Sequence, residues 1–316
     1  ADHVVVIPAR DEAQHIARAV NSFPGSDVVV VDDQSSDGTA EVACAAGAHV
    51  RQAGPLQRDW KGKANACWTG ALYTESAWIL FVDADTWYEP ALLPSILDYA
   101  TSEGLVAVSV LPQQHLGGIL SKVLLPYAFG LYFTGVDPVR VNDDRRQEAL
   151  ANGQCLLVRR DAYEFIQGHR AVITSAVEDL ALAKLFKRHR MKIRIVRAQT
   201  MAHARMYDSP RAIWHGFEKT CFKFLRLNRR TAIVVAAAAT VMISWLPMLI
   251  YLLHKGERTA AALFFFVPAL AWLPWYESVF TAFLAPVAIY LFQIIAFSAM
   301  AKEFFGIKTR WKGRHI

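Results

Sequence analysis

The sequence predicts a soluble α/β domain followed by a much more apolar segment. Short apolar runs at residues 3–7, 27–31, 78–82 and 105–110 alternate with stretches typical of helices. Strands that alternate with helices pair in parallel, and continuously apolar strands indicate a sheet that is covered on both faces. After residue 231 the composition changes, because residues 231–253 contain no charged side chain.

The same alternation continues toward the middle of the chain. Asp37 is placed to cap a helix over residues 41–46, and Glu89-Pro90 opens another helix. Further strands are expected at 154–158 and 192–196, and further helices at 161–166 and 177–189. We therefore expect residues 1–225 to form one domain with a mostly parallel sheet between helices.

The apolar part predicts a membrane domain at residues 226–316 with two or three spans. Residues 231–253 are long enough to cross a hydrocarbon core, and 259–301 holds one span with a re-entrant piece or two spans split near Glu277. Basic clusters at 219–230 and 308–314 place the preceding domain on the cytoplasmic face. Segment 116–136 is apolar but interrupted by glycines and Pro126, which fits a buried helix or a helix at the membrane interface; we expect the interface.

Charge and cysteine usage exclude several function classes. The net charge is +6, but no RNA-binding or zinc-finger signature accompanies it, so we expect no nucleic-acid partner. The four cysteines stand apart in the sequence, without a CxxC pair. This spacing is typical neither of a zinc framework nor of a disulfide scaffold.

Two carboxylates follow a buried strand in the sequence FVDAD. Asp83, Ala84 and Asp85 come directly after the run at 78–82. Ligands of open parallel sheets bind at the carboxyl ends of the strands, and side chains two residues apart on an extended chain point the same way. Two oxygen ligands on one side suit a hard divalent cation, Mg²⁺ or Mn²⁺, with diphosphate oxygens completing its coordination.

Three further motifs add polar groups near strand ends. The run VVVVDDQSSDGT delivers Asp32 and Asp33 to the same sheet edge, where a carboxylate can accept hydrogen bonds from a base or a ribose. The sequence WKGKANA places two lysines before a helix, which is a natural site for a diphosphate. The candidate ligand-binding residues from these strand ends and from the loop after the first strand are Pro8, Ala9, Arg10, Glu12, Asp32, Asp33, Lys61 and Lys63.

An acidic pair, Glu178 and Asp179, opens the helix expected at 177–189. Acidic residues in a first turn often only complement the helix dipole. Their combination with Asp83 and Asp85 favours a catalytic role instead.

In this order, the motifs between residues 4 and 214 resemble the family 2 glycosyltransferases, whose nucleotide-sugar-binding fold is called GT-A. The resemblance implies that Asp33 contacts the base, usually uracil, and that Asp83 and Asp85 hold the metal on the diphosphate. It also implies that Asp179 is the general base, with Glu178 as its neighbour. A single displacement would invert the anomeric centre as Asp179 takes the proton of the acceptor hydroxyl.

The stretch after the proposed base supplies further candidates. His203 is a candidate third metal ligand, and Arg205 or Arg211 would clamp the diphosphate. Arg211 and Trp214 resemble the Arg-Trp motif of processive family members, but two residues separate them here, which argues against a polysaccharide synthase. The tail at 311–314 resembles membrane-bound members that glycosylate lipids, carotenoids or hopanoid-type compounds. The Asp33 pattern favours a UDP-sugar donor. The spans, the apolar segment 116–136 and the basic clusters favour a lipid-like acceptor at the membrane.

Two other functions compete with this interpretation. A sugar-phosphate nucleotidyltransferase would need a glycine-rich loop after the first strand, and the sequence IPARDEAQ contains no glycine there. An inactive membrane scaffold of the same fold would not need Asp83, Asp85 and Asp179.

Overall fold

The computed structural model describes residues 2–56, 60–134, 137–175, 177–198, 200–205, 207, 209–225, 237, 241, 244–305, 310–311 and 314–315. The chain divides into two compact units. The first contains Ala1–His115 and Val136–Met206, and the second contains Leu116–Gly135 and Tyr207–Ile316.

The first unit is built on a seven-stranded sheet with the order β3-β2-β1-β4-β8-β6-β9. Only β8 runs antiparallel to its neighbours β4 and β6, so the predicted mostly parallel sheet is confirmed. Its strands are β1 His3–Ala9, β2 Asp27–Asp32, β3 His49–Gln52, β4 Trp78–Val82, β6 Ala107–Leu111, β8 Cys155–Arg159 and β9 Ile193–Arg197. A second, three-stranded sheet consists of β5 Thr86–Tyr88, β7 Gln113–Gln114 and β10 Ala202–Ala204.

Helices cover both faces of the large sheet, as continuously apolar strands require. Alternate residues of β1 enter opposite cores: Val5 and Ile7 belong to one buried cluster, whereas Val4 and Val6 belong to the other. The helices of this unit are α1 Ile16–Asn21, α2 Thr39–Ala45, α3 Gly62–Leu72, α4 Leu92–Ser102, α6 Pro138–Val141, α7 Arg160–Phe165 and α8 Glu178–Arg188.

Helix α3 approaches the sheet so closely that one position requires glycine. A Cβ atom on Gly70 would lie 2.3 Å from Cγ1 of Val6 and 3.0 Å from Cγ2 of Val31. Both valines are buried in strands and have no room to yield. The absence of a side chain at Gly70 therefore fixes how α3 packs, and with it the position of the residues at the start of that helix.

The second unit contains the remaining helices. They are α5 Ile119–Thr134, α9 Pro210–Leu225, α10 Trp245–His254, α11 Arg258–Trp272, α12 Val279–Ala282 and α13 Ala285–Phe304. Helices α5 and α9 pack against α13. The compact units therefore differ from the expected division at residue 225, since segment 116–135 and helix α9 both join the C-terminal helices.

Two helices among the described residues are long and apolar enough to cross a membrane by length and composition. They are Arg258–Trp275, of which only 6% is buried, and Ala285–Lys302, of which 33% is buried. Glu277 lies between them. Eleven of the 23 residues of the predicted span at 231–253 lie outside the described residues, as do most of the basic residues at 226–230 and 308–314.

Candidate active site

The ends of β1 and β2 bring the first two predicted motifs together. Ala9 pairs with Asp32 in the parallel register, and the backbone N–H of Asp33 donates to the carbonyl of Ala9 at 2.8 Å. The guanidinium of Arg10 donates to the carbonyl of Asp33 at 2.6 Å and lies 3.9 Å from its carboxylate. Pro8 and Ala9, which were expected in a loop after the first strand, are the last residues of β1, and Arg10 follows them at the edge where Asp33 lies.

The two neighbouring aspartates have different surroundings. Asp32 accepts a hydrogen bond from the backbone N–H of Ser35 at one carboxylate oxygen and from the amide of Gln52 at the other. Both its oxygens therefore hold the loop after β2 and the adjacent strand β3.

Glu12 contacts its own loop. Its carboxylate lies 3.1 Å from Nδ1 of His15, and its backbone N–H donates to the hydroxyl of Thr39 at 2.8 Å. Asp37 also holds this corner, since its carboxylate accepts from Ala13 and from Thr39 at the start of α2. Asp37 thus acts near the helix start where a cap was predicted.

Lys63 joins the two predicted acidic motifs. Its ammonium lies 2.6 Å from a carboxylate oxygen of Asp83 and 3.6 Å from one of Glu178. Burial alone would favour the neutral amine, but the charges of Asp83 and Glu178 outweigh it and hold the pKa of Lys63 well above its ordinary value. The other predicted lysine, Lys61, precedes α3 and is exposed.

Asp179 lies in the first turn of α8, next to Glu178. Its Oδ2 accepts from the backbone N–H of Gly153 at 2.6 Å, and its Oδ1 accepts from the backbone N–H of Leu180 at 2.7 Å. Burial and the adjacent Glu178 charge raise the pKa of Asp179 to about 6, against the opposing effects of Lys63 and of the two N–H donors. A carboxylate with a pKa near neutrality is a suitable general base.

The second aspartate of the Asp-x-Asp motif, Asp85, directly precedes strand β5 of the three-stranded sheet, and His203 lies on strand β10 of the same sheet. Ala84 is buried, and the carbonyl of Asp85 accepts from the backbone N–H of Arg205 at 3.3 Å. The ring of His203 stacks on Trp87 at 5.5 Å between centroids, and its Nδ1 lies 3.1 Å from Nε2 of His115.

The fit of a divalent cation rests on the chemistry of these donors. Within the described ranges, no three His, Cys, Asp or Glu side chains converge as a group that holds a metal. Asp83 and Asp85 nevertheless offer the hard carboxylate oxygens that Mg²⁺ and Mn²⁺ prefer, and Asp83 already contacts a cation, the ammonium of Lys63. A site completed by oxygens of a diphosphate fits this donor set.

Two predicted ligands belong to the second compact unit. Arg211 and Trp214 lie on α9, and Trp214 packs against an apolar cluster that includes Leu124 and Ile289. Their predicted roles in nucleotide-sugar binding therefore stay predictions.

Sequence reasoning missed the segment Asn152-Gly153-Gln154, which precedes β8. The backbone N–H of Gly153 holds Asp179, and the carbonyl of Gln154 accepts from the backbone N–H of Asp83 at 3.3 Å. The only local signal is an Asn-Gly pair, which ordinarily indicates a turn.

A comparison with protein families decides the class. The model described as glycosyl transferase family 2 matches residues 4–166, which is more than half of the chain. The chain belongs to family 2. The match includes Asp33, Lys63, Asp83 and Asp85, and it ends before Glu178 and Asp179.

Relatives and solved structures agree with this membership. The 4,4'-diaponeurosporenoate glycosyltransferase of Staphylococcus haemolyticus (strain JCSC1435) is 28% identical over 220 residues, which are 65% of this chain and 56% of that protein. The enzyme of the same name from Staphylococcus aureus (strain USA300) is 24% identical over 210 residues, with the same two coverages. The chain thus spans little more than half the length of these relatives.

The fold resembles that of a solved mannosyltransferase. A mannosyltransferase from Pyrobaculum calidifontis, determined in complex with GDP-Man and Mn²⁺, superposes with a TM-score of 0.60 and 16% identity over 96% of this chain and 87% of its own. The expected GT-A fold, a mostly parallel sheet between helices, is confirmed.

Proposed function

We propose that this protein is an inverting, metal-dependent glycosyltransferase that moves a sugar from a nucleoside diphosphate to a hydroxyl of a carotenoid-like lipid at a membrane. The observation that carries the proposal is the acidic cluster around Lys63, in which Asp83, Glu178 and a partly buried Asp179 meet at the carboxyl edge of the sheet. A raised carboxylate pKa beside specific charged partners is typical of functional sites.

Donor binding is assigned to the edge formed by β1, β2 and β4. Asp33 is buried, with Arg10 on its carbonyl, and its carboxylate is the proposed partner of a uracil base. Asp83 and Asp85, together with oxygens of the diphosphate, would hold Mg²⁺ or Mn²⁺, which would neutralise the charge that develops on the leaving diphosphate. Among the described residues, the predicted third ligand, His203, does not converge with them into a three-residue group and lies against His115 and Trp87 instead. Lys63 adds a positive charge beside Asp83, and Arg205 follows the strand that carries His203.

Asp179 is the proposed general base. The backbone N–H groups of Gly153 and Leu180 fix one oxygen each, so the carboxylate holds a single orientation while each oxygen keeps a second lone pair. In that orientation Asp179 takes the proton from the acceptor hydroxyl as its oxygen attacks the anomeric carbon and the bond to the diphosphate breaks. The negative charge of Glu178 beside it keeps proton uptake favourable near neutral pH.

The acceptor class is proposed from the apolar surface and from the names of the relatives. Helices α10 and α11 expose large apolar side chains, including Ile250, Tyr251, Phe266 and Leu270. Exposed apolar helices of this length suit a bilayer, and a lipid acceptor would be reached there. The staphylococcal relatives are named for transfer to diaponeurosporenoate, which also supports a long apolar acceptor.

The test is release of nucleoside diphosphate from a panel of UDP- and GDP-sugars. The full chain in detergent–lipid micelles with Mn²⁺ is assayed with and without a carotenoid-containing lipid extract. We expect release that requires both metal and extract, and a labelled sugar in the lipid fraction. Clean folding without release from any donor would refute the proposal and favour the inactive scaffold.

A further inference from the structure

Gln154 occupies a position between the two acidic motifs. Its carbonyl accepts hydrogen bonds from the backbone N–H of Asp83 and from the hydroxyl of Tyr88. The preceding residue, Gly153, holds Asp179. The side chain of Gln154 is thus anchored by main-chain bonds beside the site assigned to the diphosphate and the acceptor, and it is only 7% exposed.

The surrounding hydrogen bonds fix which atom of the Gln154 side-chain amide is the accepting oxygen and which is the NH₂ nitrogen. The backbone N–H of Gln154 is unambiguously a donor, and it donates to Oδ1 of Asn152 at 3.0 Å. The other end of the Asn152 amide, Nδ2, must therefore be the atom that donates to Gln154, at 3.2 Å. Its partner is Oε1, which also accepts from Nε2 of Gln114 at 3.0 Å. The oxygen of Gln154 is saturated by two donors, and its NH₂ group points away from both.

Among the residues that the structure describes, none accepts a hydrogen bond from Nε2 of Gln154. Gln154 is only 7% exposed as a residue, yet its Nε2 is not one of the buried atoms that lack a partner, so the NH₂ group is the accessible end of this side chain. A hydroxyl oxygen can accept a hydrogen bond from this N–H.

We propose that Gln154 recognises a hydroxyl of the transferred sugar through its NH₂ group. The inference rests on the proposed function, because the sugar is brought beside Asp83 only if this edge binds a nucleotide-sugar. Gln154 would then determine specificity, since a site built around a hydroxyl discriminates against a donor that lacks it.

The experiment measures binding of UDP and of UDP-glucose to the full chain in detergent–lipid micelles with Mn²⁺. The preference, which is the ratio of the affinity for UDP-glucose to the affinity for UDP, isolates the contribution of the sugar to binding. In Gln154→Met we expect this preference to fall about three- to tenfold, as for one lost neutral hydrogen bond, while affinity for UDP is retained. Monodeoxy forms of UDP-glucose complete a double-mutant cycle between Gln154 and the sugar hydroxyl. For the form that lacks the recognised hydroxyl, the preference over UDP should be the same in the native protein and in the variant.

Gln114→Met is the matched control. It removes one of the two hydrogen bonds that Oε1 of Gln154 accepts but leaves Nε2 of Gln154 in place, so we expect an unchanged preference for the sugar nucleotide. An equal fall in both variants, an equal loss of UDP affinity in Gln154→Met, or no change at all would overturn the inference. A change confined to the KM of the lipid acceptor would also overturn it, because Gln154 would then serve the acceptor. If the native protein binds neither UDP nor UDP-glucose with Mn²⁺, the proposed function itself fails, which separates that outcome from failure of the inference alone.

Discussion

Replacement of Asp179 by asparagine isolates the role of the proposed base. Asparagine keeps the shape of the side chain and one oxygen acceptor, but it cannot take a proton from the acceptor hydroxyl. Loss of a positioned general base typically costs about 10²- to 10⁴-fold in rate, which is roughly 3–5 kcal/mol of transition-state stabilisation. We therefore expect kcat to fall within that range.

Donor binding should survive this replacement. The oxygens of Asp179 contact the backbone of Gly153 and Leu180, and the cation beside Asp83 is Lys63. Removal of one negative charge from this cluster leaves Asp33, Asp83 and Asp85 in place. We expect Mn²⁺-dependent affinity for the nucleotide to change by less than about tenfold, because a single neighbouring charge is worth on the order of 1 kcal/mol in a half-exposed site.

The assay is single-turnover release of UDP with a labelled donor, compared with equilibrium binding of the same donor. Asp98→Asn, on the exposed face of α4, is the matched control and should retain native kcat. Transfer by Asp179→Asn at more than about a tenth of the native rate would refute the assignment of the base. Loss of donor binding in the same proportion as kcat would instead assign Asp179 to the donor site.

Four further outcomes follow from the structure. The kcat/KM of the native protein should fall as pH decreases through about 6, because Asp179 becomes protonated near its raised pKa. A bound divalent cation would move the midpoint of this fall to lower pH. A kcat/KM that does not change between pH 7 and pH 4.5 would contradict this prediction. Lys63→Met should move this fall in kcat/KM to higher pH, because the Lys63 ammonium lowers the pKa of Asp179 and its loss favours the protonated carboxyl. A shift of the pH profile to lower pH would contradict this prediction. Gly70→Ala should destabilise the fold by about 1–3 kcal/mol in urea unfolding because of the approach to Val6, whereas Gly54→Ala, with no atom within 4 Å of its added Cβ, should be nearly neutral. Glu218→Gln should lower the thermal stability of the second unit in detergent by about 1–3 kcal/mol, because the buried Glu218 carboxylate accepts a hydrogen bond from Lys302 at 2.7 Å. The exposed variant Glu257→Gln is the control. Equal melting temperatures of the two variants would argue against that hydrogen bond.

Most strands of the large sheet could be predicted from sequence because they are continuously apolar. The edge strand β3, which has the sequence HVRQ and mostly exposed residues, was not predicted. The runs at 3–7, 27–31 and 78–82 all coincide with observed strands. The three-stranded sheet was not predicted, since β5, β7 and β10 have only two or three residues each and so carry no usable periodicity. The reversed direction of β8 also leaves no trace in composition, because antiparallel pairing of a buried strand needs the same apolar residues.

Within the site, sequence order located the carboxylates but not their partners. Asp32 and Asp33 were predicted together, yet only the structure shows that both oxygens of Asp32 hold Ser35 and Gln52. The contact between Gly153 and Asp179 joins residues 26 positions apart, and no local pattern predicts such a pair. A Cβ on Gly153 would lie 3.1 Å from the ammonium of Lys63 and 3.2 Å from Oδ2 of Asp179, so the requirement for glycine there is set by tertiary structure.

The environment of Asp179 bears on the chemistry of the acceptor. The acceptor named for the staphylococcal relatives is a carboxylate, which is ionised near pH 7 and can attack without a base. A hydroxyl has no such charge and requires proton removal in the transition state. With a carboxylate acceptor, the partly buried Asp179 carboxylate, which has a raised pKa and two backbone N–H donors, would have no proton to remove. The same variant separates the two classes: Asp179→Asn should abolish transfer to a lipid alcohol but leave transfer to a lipid carboxylate nearly intact. Equal losses with both acceptors would show that Asp179 acts on the donor or on the geometry of the site, and the argument for a hydroxyl acceptor would then fail.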